Sequence, residues 1–157
     1  MRSHAATAAL VALVCASTAT ASRTLVPASM QQDIVRRART LAYVPTRAPT
    51  GFRFAGWSYT PKPAALHVSL RNRAGWGVVF TASRQVGPCA TDKAKTFQLS
   101  GNRVYWRQRD DGRQEAWRCV RGTDGRPVRL SATISVAPNR FAPAGVGLVA
   151  TAARRIP

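Results

Sequence analysis

The stretch NRVYWRQRDDGRQEAWRCV, residues 102–120, decides how this chain is read. Two alternating runs flank Asp111-Gly112, and a tight hairpin loop needs the positive φ angles that Asp and Gly tolerate. A two-residue loop at that point sets Asp110 opposite Arg113. It follows that Trp106 stands opposite Trp117, Val104 opposite Cys119 and Tyr105 opposite Arg118. One face of the hairpin is then Val104, Trp106, Trp117 and Cys119, which suits a core. The other face carries Arg103, Tyr105, Arg107, Arg109 and Arg118, with Tyr105 and Arg118 as a local cation–π pair.

Outward from this hairpin, short alternating runs separated by turn residues mark an antiparallel sheet. Strands are expected near 52–59, 65–70, 76–83, 95–99, 102–109, 114–120 and 127–136. Phe52 and Phe54 fall out of phase with Trp57 and Tyr59, and a bulge near Gly56 would bring all four to one face. On the N-terminal side, Ser29 with Gln32 reads as a capping box for a helix through Met30, Ile34, Ala38 and Leu41, with Asp33 and Arg37 paired on its outer face. That helix should stop near Tyr43, and VPTRAPTG (44–51) reads as a linker. Pro143 opens a second helix through Val146, Val149, Ala150 and Ala153, ending at Arg154 and Arg155, where the dipole favours cations. Gly145 and Gly147 weaken its start. The expected fold is α+β: a curved antiparallel sheet of about six or seven strands, both helices on one face and the other face wet.

The first residues have the pattern of an export signal, with Arg2 and His4 before an apolar Ala5–Ala16 stretch and small residues at Ala19 and Ala21. The expected organisation is a signal peptide at 1–21, a flexible leader at 22–28 and a single domain at 29–157. Val14 is too bulky for a lipid-attachment reading at Cys15. Removing the signal leaves Cys89 and Cys119, which in an oxidising compartment are most simply a disulfide. No CxxC is present, and His67 is the one histidine of the remaining chain. A metal site or a catalytic thiol therefore lacks support.

The chain has 157 residues, 24 Lys+Arg against 6 Asp+Glu, and a formal net charge of +18. With 45% hydrophobic residues it is too apolar for a basic disordered tail. Outside the first twenty-odd residues no run could span a membrane. Six carboxylates and two histidines leave little material for acid–base catalysis. GxSxG, HExxH and a glycine-rich phosphate loop are all missing from the sequence. Asp110, Asp111 and Glu115 bracket the hairpin turn and are explained as turn residues, and His67 should point away from the core phase of Leu66, Val68 and Leu70. Neither an enzymatic role nor a cofactor is expected.

The arginines remain. A GC-rich coding sequence enriches Arg and Ala but does not deplete acids, so the imbalance itself needs a cause. Solubilising side chains on a wet sheet face are one account. The other is an anion-binding surface of Arg103, Tyr105, Arg107, Arg109 and Arg118, with Arg71, Arg73 and Arg84 bordering neighbouring turns, because planar cations around an aromatic grip phosphate, sulfate or carboxylate bidentately. For an exported protein the abundant polyanions are envelope polymers and lipid headgroups. Nucleic acid would bind through charge alone, with strong salt dependence.

The layout of Tyr43-Val44-Pro45, Pro49 and GFRFAGWSY (51–59), then SGNRVYWRQRD (100–110), AWRCV (116–120) and a terminal helix resembles small secreted actinobacterial proteins of unknown function. More distantly it resembles extracytoplasmic sheet domains associated with lipoprotein sorting and sigma-factor regulation. The resemblance implies a half-open antiparallel sheet that binds lipid, lipoprotein or a regulatory partner, and it brings no catalytic residues. The chain departs from that group in lacking a transmembrane anchor or fused regulatory domain. The expected function is a secreted, non-enzymatic domain that engages an anionic envelope component or an extracytoplasmic protein through its arginine-rich sheet face. Its competitors are a lipid carrier, which would need an apolar cavity beside Trp57, Trp76 or Trp106, and a secreted enzyme or inhibitor, which would need hydrogen-bonded polar side chains in a cleft.

Overall fold

A computed structural model of the chain describes residues 24–135 and 143–157. The expected signal peptide, the first two residues of the leader and the last residue of the 127–136 strand lie outside these. The elements run α1 (Ala28–Ala38), a 3-10 turn (Arg39–Leu41), β1 (Tyr43–Pro45), β2 (Arg53–Pro61), β3 (Ala64–Arg71), β4 (Gly77–Arg84), β5 (Lys95–Leu99), β6 (Asn102–Gln108), β7 (Gln114–Arg121), β8 (Pro127–Ser135), α2 (Pro143–Thr151) and β9 (Ala153–Arg155). Strands β2 to β8 form one antiparallel sheet in the order β2-β3-β4-β8-β7-β6-β5. The fold is thus α+β with a seven-stranded sheet, as the alternation implies.

Alternation along each strand sorts the sheet into two faces. Leu66, Val68 and Leu70 of β3, Val78, Phe80 and Ala82 of β4, and Val128, Leu130, Ala132 and Ile134 of β8 are all buried in one apolar cluster. Ile34 and Ala38 of α1 and Val146, Val149 and Ala150 of α2 join the same cluster, so both helices cover one face. The bulge occurs where expected: pairing shifts between Phe54 and Gly56, which keeps Phe54, Trp57 and Tyr59 against the core along with buried Phe52. At Gly147 a Cβ would stand 2.9 Å from Phe97 Cζ, so a side chain there would have to displace the Phe97 ring. The glycine that weakens the helix in isolation lets α2 lie close to β5.

Several local expectations are corrected. The N-cap of α1 is Pro27, with no side-chain cap, so the Ser29–Gln32 box does not form. Gln31 instead reaches back, its Nε2 donating to Thr24 Oγ1 (2.9 Å) and to the Val26 carbonyl (3.1 Å). Asp33 pairs with Arg36 rather than with Arg37, and Arg37 lies 5.8 Å from the Trp57 ring centroid. The second helix stops at Thr151, and Arg154 and Arg155 belong to β9, which pairs antiparallel with β1 in a separate two-stranded sheet. The stretch read as a linker therefore begins inside a strand, since Val44 and Pro45 are in β1.

The most consequential correction concerns the 102–120 hairpin. Gly112 N–H donates to Arg109 O (3.0 Å) and Arg109 N–H to Arg113 O (2.8 Å), with Gly112 at φ 77°. This is a three-residue loop, a tight turn followed by a left-handed glycine, and not the two-residue form. The pairing becomes Tyr105 opposite Trp117 and Trp106 opposite Ala116. A one-residue slip exchanges the faces of an entire strand. Trp117 and Cys119 thereby move to the open face, while Arg118 turns toward the helices.

Candidate anion-binding site

On the open face, β6 presents Arg103, Tyr105 and Arg107 together, as the sequence implies. The slipped register adds Trp117 to them, and Arg129 of β8 completes the group. Trp117 is fully buried there. Its ring stacks on Tyr105 at 5.8 Å, with Arg129 at 4.3 Å and Arg107 at 5.5 Å from its centroid. Its indole N–H donates to the Cys89 carbonyl at 2.8 Å, and the Cys89–Cys119 disulfide ties that carbonyl's loop to β7 across a Cα separation of 6.0 Å. The disulfide thus forms as the cysteine count implies.

Part of the charge in this group is compensated internally. The buried Glu115 accepts from Arg107 Nε (2.9 Å) and from Arg129 Nη2 (2.9 Å). Burial pushes the Arg129 pKa down, and Glu115 opposes that shift. Arg109 and Arg113 both lie within ion-pair distance of Asp111 in the turn. Of the open-face residues predicted to bind anions, Arg107 and Arg109 are therefore partly neutralised by neighbours, and Tyr105 is engaged in stacking. Arg103 is exposed. Arg118 is absent from this face, so the Tyr105–Arg118 pair does not form. His67 lies on the same open face, its Nδ1 3.1 Å from Thr81 Oγ1.

A different constellation gathers at the far edge of the sheet. Arg53, at the start of β2, registers directly against Arg71, at the end of β3. The β3–β4 hairpin turns through another three-residue loop, closed by Asn72 N–H to Trp76 O (3.0 Å) and Gly75 N–H to Asn72 O (3.1 Å), and this puts Arg73 beside the pair. The three arginines, with Thr50, Gly51 and Asn72, line a cleft of about 670 Å³. No carboxylate lines it, and among the described residues none of the three arginines forms an ion pair. Directly opposed like charges destabilise a sheet, and an anion between them reverses the sign. Arg71 and Arg73 belong to the predicted set; Arg53 was missed, although its position eight residues before Pro61, across the turn from Arg71, follows from strand pairing alone.

Arg118 defines a second cleft on the helix side. Its guanidinium caps the end of α2, Nε donating to Ala150 O (3.2 Å) and Nη2 to Ala153 O (3.3 Å), while Nη1 donates to Asn102 Oδ1 (2.9 Å). Burial pushes its pKa down, with Tyr43 acting in the opposite direction.

Among the described residues no group of three His, Cys, Asp or Glu side chains is placed to hold a metal ion, and no helix is long and apolar enough to cross a membrane. Compared with known proteins, the chain matches no protein-family model, no curated protein and no solved structure.

Proposed function

We propose that this chain is an exported, non-enzymatic binding domain that engages an anionic component of the cell envelope, a polymer or a lipid headgroup, through arginines that no carboxylate neutralises. The observation that carries this reading is the Arg53–Arg71–Arg73 cleft. Asp33, Asp111 and Glu115 hold arginines elsewhere and Asp124 holds Arg84, whereas no carboxylate lines this cleft. All three arginines of the cleft are exposed, which suits a ligand that arrives as an extended surface or chain. Export is supported by the disulfide, since such bonds persist in oxidising compartments. An extracytoplasmic protein with an acidic patch would use the same cleft.

Sedimentation with phosphatidylglycerol-containing vesicles tests the proposal. Each basic residue near an anionic surface contributes about 1 kcal/mol, so the Arg53→Gln/Arg71→Gln/Arg73→Gln protein should bind about a hundredfold more weakly. The control removes the same charge from paired positions, as Arg36→Gln/Arg109→Gln/Arg113→Gln, and should lose far less. Equal losses would mean diffuse charge and no site.

A further inference from the structure

The cleft at Arg118 differs in kind from the exposed one. Arg47, from the connection after β1, and Arg154, from β9, line it together with Arg118, and its volume is about 360 Å³. These three residues come from segments far apart in sequence, brought together by the β1–β9 pairing and by α2 docking on β7. Ser100, Asn102 and Thr151 supply most of the remaining polar wall, and no carboxylate lines it.

The geometry of Arg118 is fixed before any ligand arrives. Three of its N–H groups are spent on Ala150 O, Asn102 Oδ1 and Ala153 O. Asn102 is itself held, its Nδ2 donating to Ser100 O at 3.0 Å. Ser100 occupies the left-handed region at φ 50° without being a glycine, so the turn that presents it to the cleft is strained. A guanidinium has five N–H donors, which leaves Arg118 with two. The carbonyl end of α2 carries roughly half a negative charge. That offsets only part of Arg118 and nothing of Arg47 or Arg154, both exposed and, among the described residues, without an ion pair.

We infer that this cleft binds a single phosphate dianion, free or as a monoester, with Arg118 as the preorganised donor and Arg47 and Arg154 as the mobile arms that complete its coordination. A carboxylate would balance only one of three charges. A phosphate group offers two charges and enough oxygens for several arginines, and bidentate Arg–phosphate contacts are the strong, directional ones. The volume exceeds that of phosphate alone and leaves room for a glycerol-sized substituent. The site is separate from the Arg53–Arg71–Arg73 cleft, and either assignment can fail while the other stands.

The test is calorimetric titration of the full disulfide-bonded chain with inorganic phosphate and with glycerol 3-phosphate at constant ionic strength, alongside binding to phosphatidylcholine vesicles with and without phosphatidic acid. Wild type should bind in millimolar phosphate or below. Arg47→Gln/Arg154→Gln, which alters only exposed side chains, should bind both soluble phosphates about tenfold or more weakly, and Arg53→Gln/Arg71→Gln/Arg73→Gln should bind those two as wild type does. Arg118→Lys keeps the charge but loses the fork, and it too should weaken phosphate binding. Binding to phosphatidic acid vesicles alone, if lost in Arg47→Gln/Arg154→Gln, identifies a lipid headgroup as the source of the phosphate and supports the assignment. No binding of any phosphate probe, or losses of binding to the soluble phosphates no larger in Arg47→Gln/Arg154→Gln than in Arg53→Gln/Arg71→Gln/Arg73→Gln, would overturn it.

Discussion

Trp117→Ala should lower the unfolding free energy by about 3–5 kcal/mol, the range for truncating a buried aromatic. That is a large share of the roughly 5–15 kcal/mol that holds a domain together. The magnitude follows from where the ring sits. It is wholly buried on the face away from the helices, between Tyr105, Arg107, Arg129 and the loop carrying Cys89. Truncation would open a cavity and also leave two guanidinium groups without the ring they lie over and the Cys89 carbonyl without its donor. Trp117→Phe keeps a ring and removes the N–H, so it should lose less, with the hydrogen bond alone contributing about 0.5–1.5 kcal/mol. Urea unfolding of the three proteins measures both differences. A loss below about 1 kcal/mol for Trp117→Ala, the typical effect of an ordinary substitution, would mean that the open face has no second core.

Removing the disulfide should have a comparable effect. Cys89 and Cys119 are 30 positions apart, and closing a loop of that size restricts the unfolded chain enough to stabilise the native state by about 3–4 kcal/mol. Cys89→Ser/Cys119→Ser should therefore unfold at distinctly lower urea than the oxidised wild type and should be indifferent to reductant. Reduced wild type should fall to the level of the double variant. Because Trp117 bonds the Cys89 carbonyl, the two perturbations share a partner, and combining them should lose less than the sum of the separate effects. A wild-type protein whose stability does not respond to reductant would contradict this account of the loop.

Trp117 and the disulfide also show where sequence reasoning carries and where it stops. The seven strands of the large sheet were legible from alternation, and the bulge at Gly56 followed from the phase conflict between Phe54 and Trp57. The disulfide followed from cysteine arithmetic. The faces of the 102–120 hairpin did not, because Asp-Gly serves two turn geometries that differ by one residue of register. The distinguishing signal lay in the neighbouring hairpins: Gly75 and Gly125 end three-residue loops of the same kind, at φ 80° and φ 76°. A bulky Trp117 beside a small Ala116 also invited the wrong choice, since the larger apolar side chain looks like the core residue. In the structure Ala116 packs inward and the Arg107 and Arg129 guanidinium groups lie over Trp117.

The candidate sites were legible only in part for a related reason. Arg71 and Arg73 stood out at a turn, but their partner Arg53 is defined by strand pairing, and Arg47 and Arg154 are joined to Arg118 by β1 and β9. Those strands have three residues each, over a hundred positions apart, too short for any periodicity to declare them. Arginine count alone overstated the sheet face, because Glu115 offsets one of the two charges of Arg107 and Arg129 where the sequence showed only neighbouring charges.

If the Arg53–Arg71–Arg73 cleft grips a polyanion as a discrete site, the salt dependence of polyanion binding must change when its arginines are removed. Affinity for long-chain polyphosphate, measured across a range of salt concentrations, gives a logarithmic slope that counts the phosphates neutralised. For Arg53→Gln/Arg71→Gln/Arg73→Gln the slope should become shallower by about 2, the value for three lost contacts to a flexible polyanion. For Arg36→Gln/Arg109→Gln/Arg113→Gln it should stay close to wild type. The same change of slope in both variants, or none in the first, would contradict a localised site.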